Sequence, residues 1–364
     1  MTTADIITQR LINQQIARTA FQQPQEIVAW LGAMQAQEFA TAKWAIGLRL
    51  PGQTDEAIEK TFNEGAILRT HLLRPTWHFV TPADIRWLLT LTAPRVDAVN
   101  AYMYRKLELD NAVFGRAYDT LIATLQGGKQ RTRARLQAAL AQTGVATSGF
   151  RLSYLLMRAE LEGIVCSGAR EGKQFTYALL DERVPAVQSP SREEALAELT
   201  RRYFASRGPA TIQDFVWWSG LTIKDGRTGI AMLGADFVEK SVDGQQYVFV
   251  PAGEIADKGN FQTTFLMPEF DEYGISYKNR RAIFNPLTRP TDTATAPGEN
   301  DPETGDFRNM LVVDGTFAGI WKRTLKNTSV LIETTPFAPL SVAGQDAVRR
   351  AIQRYGAFVG KAVV

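Results

Sequence analysis

Thr132–Leu179 reads TRARLQAALAQTGVATSGFRLSYLLMRAELEGIVCSGAREGKQFTYAL. The Thr132 hydroxyl can cap a helix start. Leu136, Ala139 and Leu140 then recur at helical spacing until Gly144. Ser148 opens another helix, with Leu152, Leu155, Leu156, Ala159 and Leu161 as its apolar positions and Gly163 as its stop. The runs Ile164–Cys166 and Phe175–Leu179 are strand-like and flank the polar, Gly-containing stretch Ser167–Lys173. Upstream, Ala117–Leu125 reads as a helix ended by Gly127-Gly128. Three helices followed by a β-hairpin is the order of a winged helix, whose third helix can enter a major groove.

The same order recurs on both sides. Downstream, Glu193–Ser206 is a helix with Leu196, Leu199 and Tyr203 on one face. Thr211 caps the next, which runs through Phe215 and Trp218 to Gly220, and Lys224–Leu233 makes a short third. Phe237–Lys240 and Gln246–Val250 flank Asp243-Gly244, a hairpin-turn dipeptide. Upstream the unit is looser. Ile6–Ala17, Gln25–Met34 and Thr41–Leu48 read as helices, Ile67–Val80 as strand material, and Gln53–Asn63 as an insertion. From Phe261 on the texture turns to strands, at Thr263–Met267, Leu311–Asp314, Phe317–Leu325 and Ser329–Glu333, before a last helix at Val342–Tyr355. Between them Asn285–Asn309, with four prolines, is longer than an ordinary loop.

The expected fold is therefore α+β. Three tandem winged-helix units, at residues 1–110, 111–188 and 189–258, precede a small β-barrel-like domain with a C-terminal helix at 259–364. A chain of 364 residues, 45% hydrophobic, has core enough for about two to four compact units. Its net charge of +3 permits nucleic-acid binding without arguing for it. The arginines at 131, 133, 135, 201 and 202 add to the case, although charge runs are usually solvated helix faces.

Several chemistries are disfavoured. The one cysteine, Cys166, allows no intrachain disulfide and no Cys-rich metal site, and it sits in an apolar strand like a small hydrophobe. With two histidines, His71 and His78, a zinc centre would need carboxylates, so neither metal nor cofactor is expected. There is no phosphate loop, dinucleotide fingerprint, HExxH or Gly-x-Ser-x-Gly elbow. No basic n-region or long apolar run is visible, which gives the expectation of a soluble, cytoplasmic monomer without membrane contact.

What remains is Gly32-Ala33-Met34-Gln35-Ala36-Gln37-Glu38-Phe39-Ala40 with Trp44 and Arg49, and then Leu68–Val80, reading LRTHLLRPTWHFV. Leu161-Glu162-Gly163, Met267-Pro268-Glu269-Phe270-Asp271 and Val313-Asp314-Gly315 leading to Trp321 follow in order. Together these resemble the AlkZ-like alkylpurine DNA glycosylases over nearly the whole chain. The resemblance implies a catalytic Gln-x-Gln motif at Gln35 and Gln37, a downstream Thr-x-His strand at Thr76 and His78, and winged helices leading into a β-barrel. Gln at the second position, rather than Asp, is similar to the branch that resolves interstrand crosslinks. Ala36 is smaller than the usual intervening residue, and His71 and Pro75 depart from the expected types. The Asn285–Asn309 loop resembles in position the hairpin by which the family probes DNA, but it carries Asp301, Glu303 and Asp306, which would repel phosphate.

The chemistry of a glutamine pair can be argued by itself. An amide does not ionise near neutral pH, so it cannot serve as a general base. Its carbonyl can hold a water and face developing positive charge. That suffices when the leaving group is already activated, as in a cationic N7-alkylpurine. Two side chains two residues apart diverge on a helix and share a side on extended backbone. The second helix should therefore end near Met34. Taken without the resemblance, both glutamines are ordinary exposed helix residues.

Arg69, Arg74, Arg280 and Arg281 are candidate phosphate contacts. His78 could touch phosphate or order the water, and is equally readable as a structural histidine. The expected activity is that of a monofunctional glycosylase on double-stranded DNA bearing alkylated or crosslinked purines. A crosslinked base cannot swing free, so it would require an open cleft. The competing class is a non-enzymatic winged-helix regulator, and a third is a helical protein-binding scaffold.

Overall fold

The computed structural model describes residues 1–186, 188–252, 261–284 and 309–364. The Asn285–Asn309 reading lies outside them, apart from Asn309. The described residues group into two compact units. One comprises Met1–Glu59, Ala197–Trp218 and Thr222–Val364; the other comprises Lys60–Leu196 and Ser219–Leu221. Among the described residues no helix is long and apolar enough to cross a membrane.

The chain opens with α1 (Thr3–Asn13), held by a reciprocal Thr2–Asp5 capping box, and α2 (Pro24–Leu31), which has Pro24 at its first position. Gly32, at φ 72°, stops α2 three residues before the expected Met34. Met34–Gln35 form the short strand β1, and α3 (Phe39–Arg49) follows. The stretch read as an insertion is mostly helix, α4 (Asp55–Glu64).

In the second unit, β2 (Leu68–Leu72) and β3 (Thr76–Val80) pair antiparallel, Thr70 opposite His78. Next comes α5 (Ile85–Lys106), 22 residues that the sequence reading did not anticipate. Its interior Pro94 breaks the pattern by which a helix is recognised, since proline there forfeits a hydrogen bond. After it come α6 (Asn111–Leu125), the two-residue β4 (Arg131–Thr132), α7 (Arg133–Gln142), α8 (Arg151–Leu161), β5 (Val165–Ser167) and β6 (Thr176–Leu179). The Thr132 hydroxyl caps α7 as anticipated, accepting from the Arg135 N–H. By contrast α8 begins at Arg151, three residues beyond Ser148. The strand order is β4-β6-β5, and Leu121, Leu136, Leu140, Leu152, Leu155 and Val165 form one apolar core beneath. The short α9 (Leu180–Arg183) follows directly.

The chain returns to the first unit within α10 (Arg192–Arg207) and continues through α11 (Ile212–Ser219) and α12 (Ile223–Ala231). The hairpin of β7 (Val238–Val242) and β8 (Gln245–Phe249) turns at Asp243-Gly244, both with positive φ. Last come β9 (Phe265–Met267), α13 (Glu272–Ile275), β10 (Met310–Val313), β11 (Thr316–Leu325), β12 (Ser329–Pro336), α14 (Val342–Phe358) and β13 (Ala362–Val363). These strands make one curled sheet in the order β13-β12-β11-β10-β9. The fold is α+β, with α14 against the C-terminal sheet. Trp44, Trp321, Tyr355 and Phe358 meet between α3, β11 and α14, with both indole nitrogens satisfied by carbonyls of β9.

Candidate active site

Gln35 and Gln37 lie outside any helix, because Gly32 ends α2 early and α3 does not begin until Phe39. Gln35 is 8% exposed, Ala36 is fully buried and Gln37 is half-buried. The exposed-helix alternative is therefore wrong for both residues. Fixing such a segment is costly, since the last carbonyls of a helix and the first groups after it lack internal partners.

Two residues far away in sequence supply those partners. Arg207, at the end of α10, donates from Nη1 to the Leu31 carbonyl (2.7 Å) and from Nη2 to the Ala33 carbonyl (2.8 Å). The same guanidinium pairs with Glu272, Nη2 to Oε2 at 2.7 Å. Glu272 turns its other oxygen to the Gln35 backbone, whose N–H donates to Oε1 at 2.8 Å. Ser276 Oγ (2.7 Å) and Trp218 Nε1 (2.9 Å) also donate to Oε2. The Arg207 cation further sits 4.2 Å over the Trp218 ring.

Glu272 is completely buried, which by itself would raise its pKa, but the Arg207 charge and the hydrogen bonds outweigh burial and hold the carboxyl below its ordinary range. Its neighbour Asp271 is fixed likewise: Arg49 grips both carboxylate oxygens, at 2.8 and 3.0 Å, and reaches Gln14. Two fully buried arginines thus pin the N-terminus of α13, one on its cap Asp271 and one on its first residue Glu272. The sequence reading missed Arg207 and Glu272. Asp271 closed one of its quoted motifs, but nothing local to Arg207 marks a partner that far away.

The other candidates are more scattered. Arg69 is 7% exposed, and its guanidinium stacks on Trp77 (4.2 Å) and Phe175 (4.5 Å). His78 is fully buried, with Nδ1 3.0 Å from the Thr76 carbonyl oxygen. Arg280 is 3% exposed and donates to the Gly274 carbonyl. All three are internal groups: Arg69 and Arg280 are not displayed on the surface as phosphate contacts would be, and the burial of His78 fits its structural reading. Arg74 is half-buried, and Arg281 stands on the surface. His71 is buried against Glu160 and stacks on Trp77. Burial pushes the Cys166 thiol up to about 12, which leaves it a protonated, packed side chain. Among the described residues, no group of three or more His, Cys, Asp or Glu could hold a metal ion.

The family model for the DNA glycosylase AlkZ-like proteins matches residues 28–358. An interstrand DNA cross-link repair glycosylase of Streptomyces sahachiroi is 22% identical over 312 residues, 82% of this chain and 81% of that protein. The solved structure of the Streptomyces sahachiroi DNA glycosylase AlkZ superposes with a TM-score of 0.78 at 19% identity, covering both chains completely. The protein is thus a DNA glycosylase, an enzyme that hydrolyses N-glycosidic bonds. Within that class, the chain belongs to the AlkZ-like family.

Proposed function

We propose that this glycosylase releases N7-alkylated purines from double-stranded DNA, interstrand-crosslinked ones included, with Gln35 and Gln37 as its catalytic pair. The observation that carries the reading is the break between α2 and α3, which frees both glutamines from helical geometry that would split them. The relative named for interstrand cross-link repair supports the crosslink part.

A cationic purine leaves readily, so the enzyme need only hold a water and stabilise positive charge growing on the sugar. Amide carbonyls do both without a proton of their own. No lysine nucleophile is invoked, so the product is an abasic site and an intact strand. We further propose three local helix–hairpin units as winged helices, α6–α8 with β5 and β6 being one of them. Arg281, on the surface, and Arg74 are the proposed phosphate contacts.

The test is a duplex carrying N7-methylguanine, incubated with protein and then heated in alkali to break abasic sites. Wild-type protein should produce breaks, while Gln35→Ala and Gln37→Ala should each lose about 100-fold or more in rate. Wild-type rates in both variants, or release of neutral uracil as fast as of the methylated base, would overturn the reading.

A further inference from the structure

We propose that Glu272 and Arg207 are positioning residues for the reaction, acting through the backbone of Gln35; this rests on the reading of Gln35 as catalytic. Three backbone groups decide where that side chain starts. The Leu31 and Ala33 carbonyls lie on either side of the Gly32 turn, and the Gln35 N–H lies two residues beyond. A single guanidinium takes both carbonyls, and the carboxylate paired with it takes the N–H. The five positions from 31 to 35 are therefore tied to one ion pair, not merely enclosed by apolar packing.

The pair is itself braced. Glu272 Oε2 accepts from Arg207, Ser276 and Trp218 together, and Arg207 Nε also reaches Ser276 Oγ at 2.9 Å. With Oε2 so crowded by donors, the carboxylate has little freedom to rotate Oε1 away from Gln35. Glutamine at 272 would keep an acceptor but lose the charge. Lysine at 207 would keep the charge, but one ammonium cannot span two carbonyls and a carboxylate in a plane. A misplacement of about 1 Å at a reacting group can cost about 100-fold in rate.

The experiment uses full-length protein and the N7-methylguanine duplex under single-turnover conditions, with duplex affinity measured separately. Glu272→Gln and Arg207→Lys should each lower the excision rate at least about tenfold while Kd stays within about threefold. In the Gln35→Ala background, Glu272→Gln should cost nothing further, because a group that acts through Gln35 has nothing left to place. In protein labelled with 15N-glutamine, the Gln35 amide resonance, identified by its loss in Gln35→Ala, should move upfield in Glu272→Gln.

A folded Glu272→Gln protein with wild-type rate and an unmoved Gln35 amide overturns the proposal, as does a loss that adds fully to that of Gln35→Ala. If Gln35→Ala itself keeps the wild-type rate, the catalytic reading of Gln35 is what has failed. Should Glu272→Gln not fold, Ser276→Ala removes one donor from the same carboxylate. It should then slow excision about threefold and shift the Gln35 amide, and no change in either overturns the proposal.

Discussion

Glu272 keeps its charge in a buried site, because five donors from four residues replace the hydration shell. Its pKa is depressed below the ordinary 4.5. A depressed carboxyl contributes stability that is fully present above its unfolded-state pKa and is lost as pH falls through the folded value. The free energy of unfolding should therefore fall as pH drops below about 4.5. Urea titrations along a pH series will show it, and Glu272→Gln should flatten that dependence while lowering stability at neutral pH. A variant whose acid limb matches wild type would mean that other carboxylates carry the effect. Neither acid of the Asp271-Glu272 pair is legible in advance as a structural anchor. Their arginines, Arg49 and Arg207, come from distant elements, and although Arg49 belongs to a quoted stretch, nothing in the sequence pairs either with these acids.

Between elements, one close joint is where α3 crosses α14. A methyl group on Gly47 would stand 2.5 and 2.6 Å from two carbons of the Phe358 ring, far inside van der Waals contact. Alanine gains about 1 kcal/mol of helix propensity over glycine. Overpacking a closed core costs about 1–3 kcal/mol. The clash involves a ring wedged between Trp44 and Tyr355, so the cost should win. Gly47→Ala should lower the urea midpoint without changing its slope, and adding Phe358→Leu should recover part of the loss. Most element boundaries were legible wherever a glycine at positive φ or a hydroxyl cap marked them, as at Gly144, Gly163, Thr132 and Asp243-Gly244. They were illegible where the marker misleads: Pro94 hides the 22-residue α5, and Gly32 ends α2 sooner than the apolar pattern suggests. Only a resemblance singled out Gln35 and Gln37, for a pair of amides has no local signature. The burial of Arg69 and Arg280 was not legible because charge in a sequence does not say which face it occupies, and for His78 the structural reading is the one its burial favours.

At the level of the whole molecule, the chain shares its fold with a Streptomyces sahachiroi glycosylase at 19% identity. Cys166 offers a reporter of its integrity. Its thiol is buried and pushed up to about 12, so a thiol reagent at pH 8 should label native protein only as fast as it opens. In denaturant, labelling should become fast and complete. Rapid native labelling would mean that β5 is far more accessible than its burial indicates. The long reach of the ion pair has a last consequence, for biosynthesis. The Gln35 amide finds its acceptor 237 positions downstream, and the Ala33 carbonyl its donor 174 positions downstream. A ribosome must therefore add Glu272 before the Gln35 strand can take its native backbone. On the catalytic role proposed for Gln35 and Gln37, a fragment that stops short of Glu272 would carry both amides without the acceptor that fixes the Gln35 backbone.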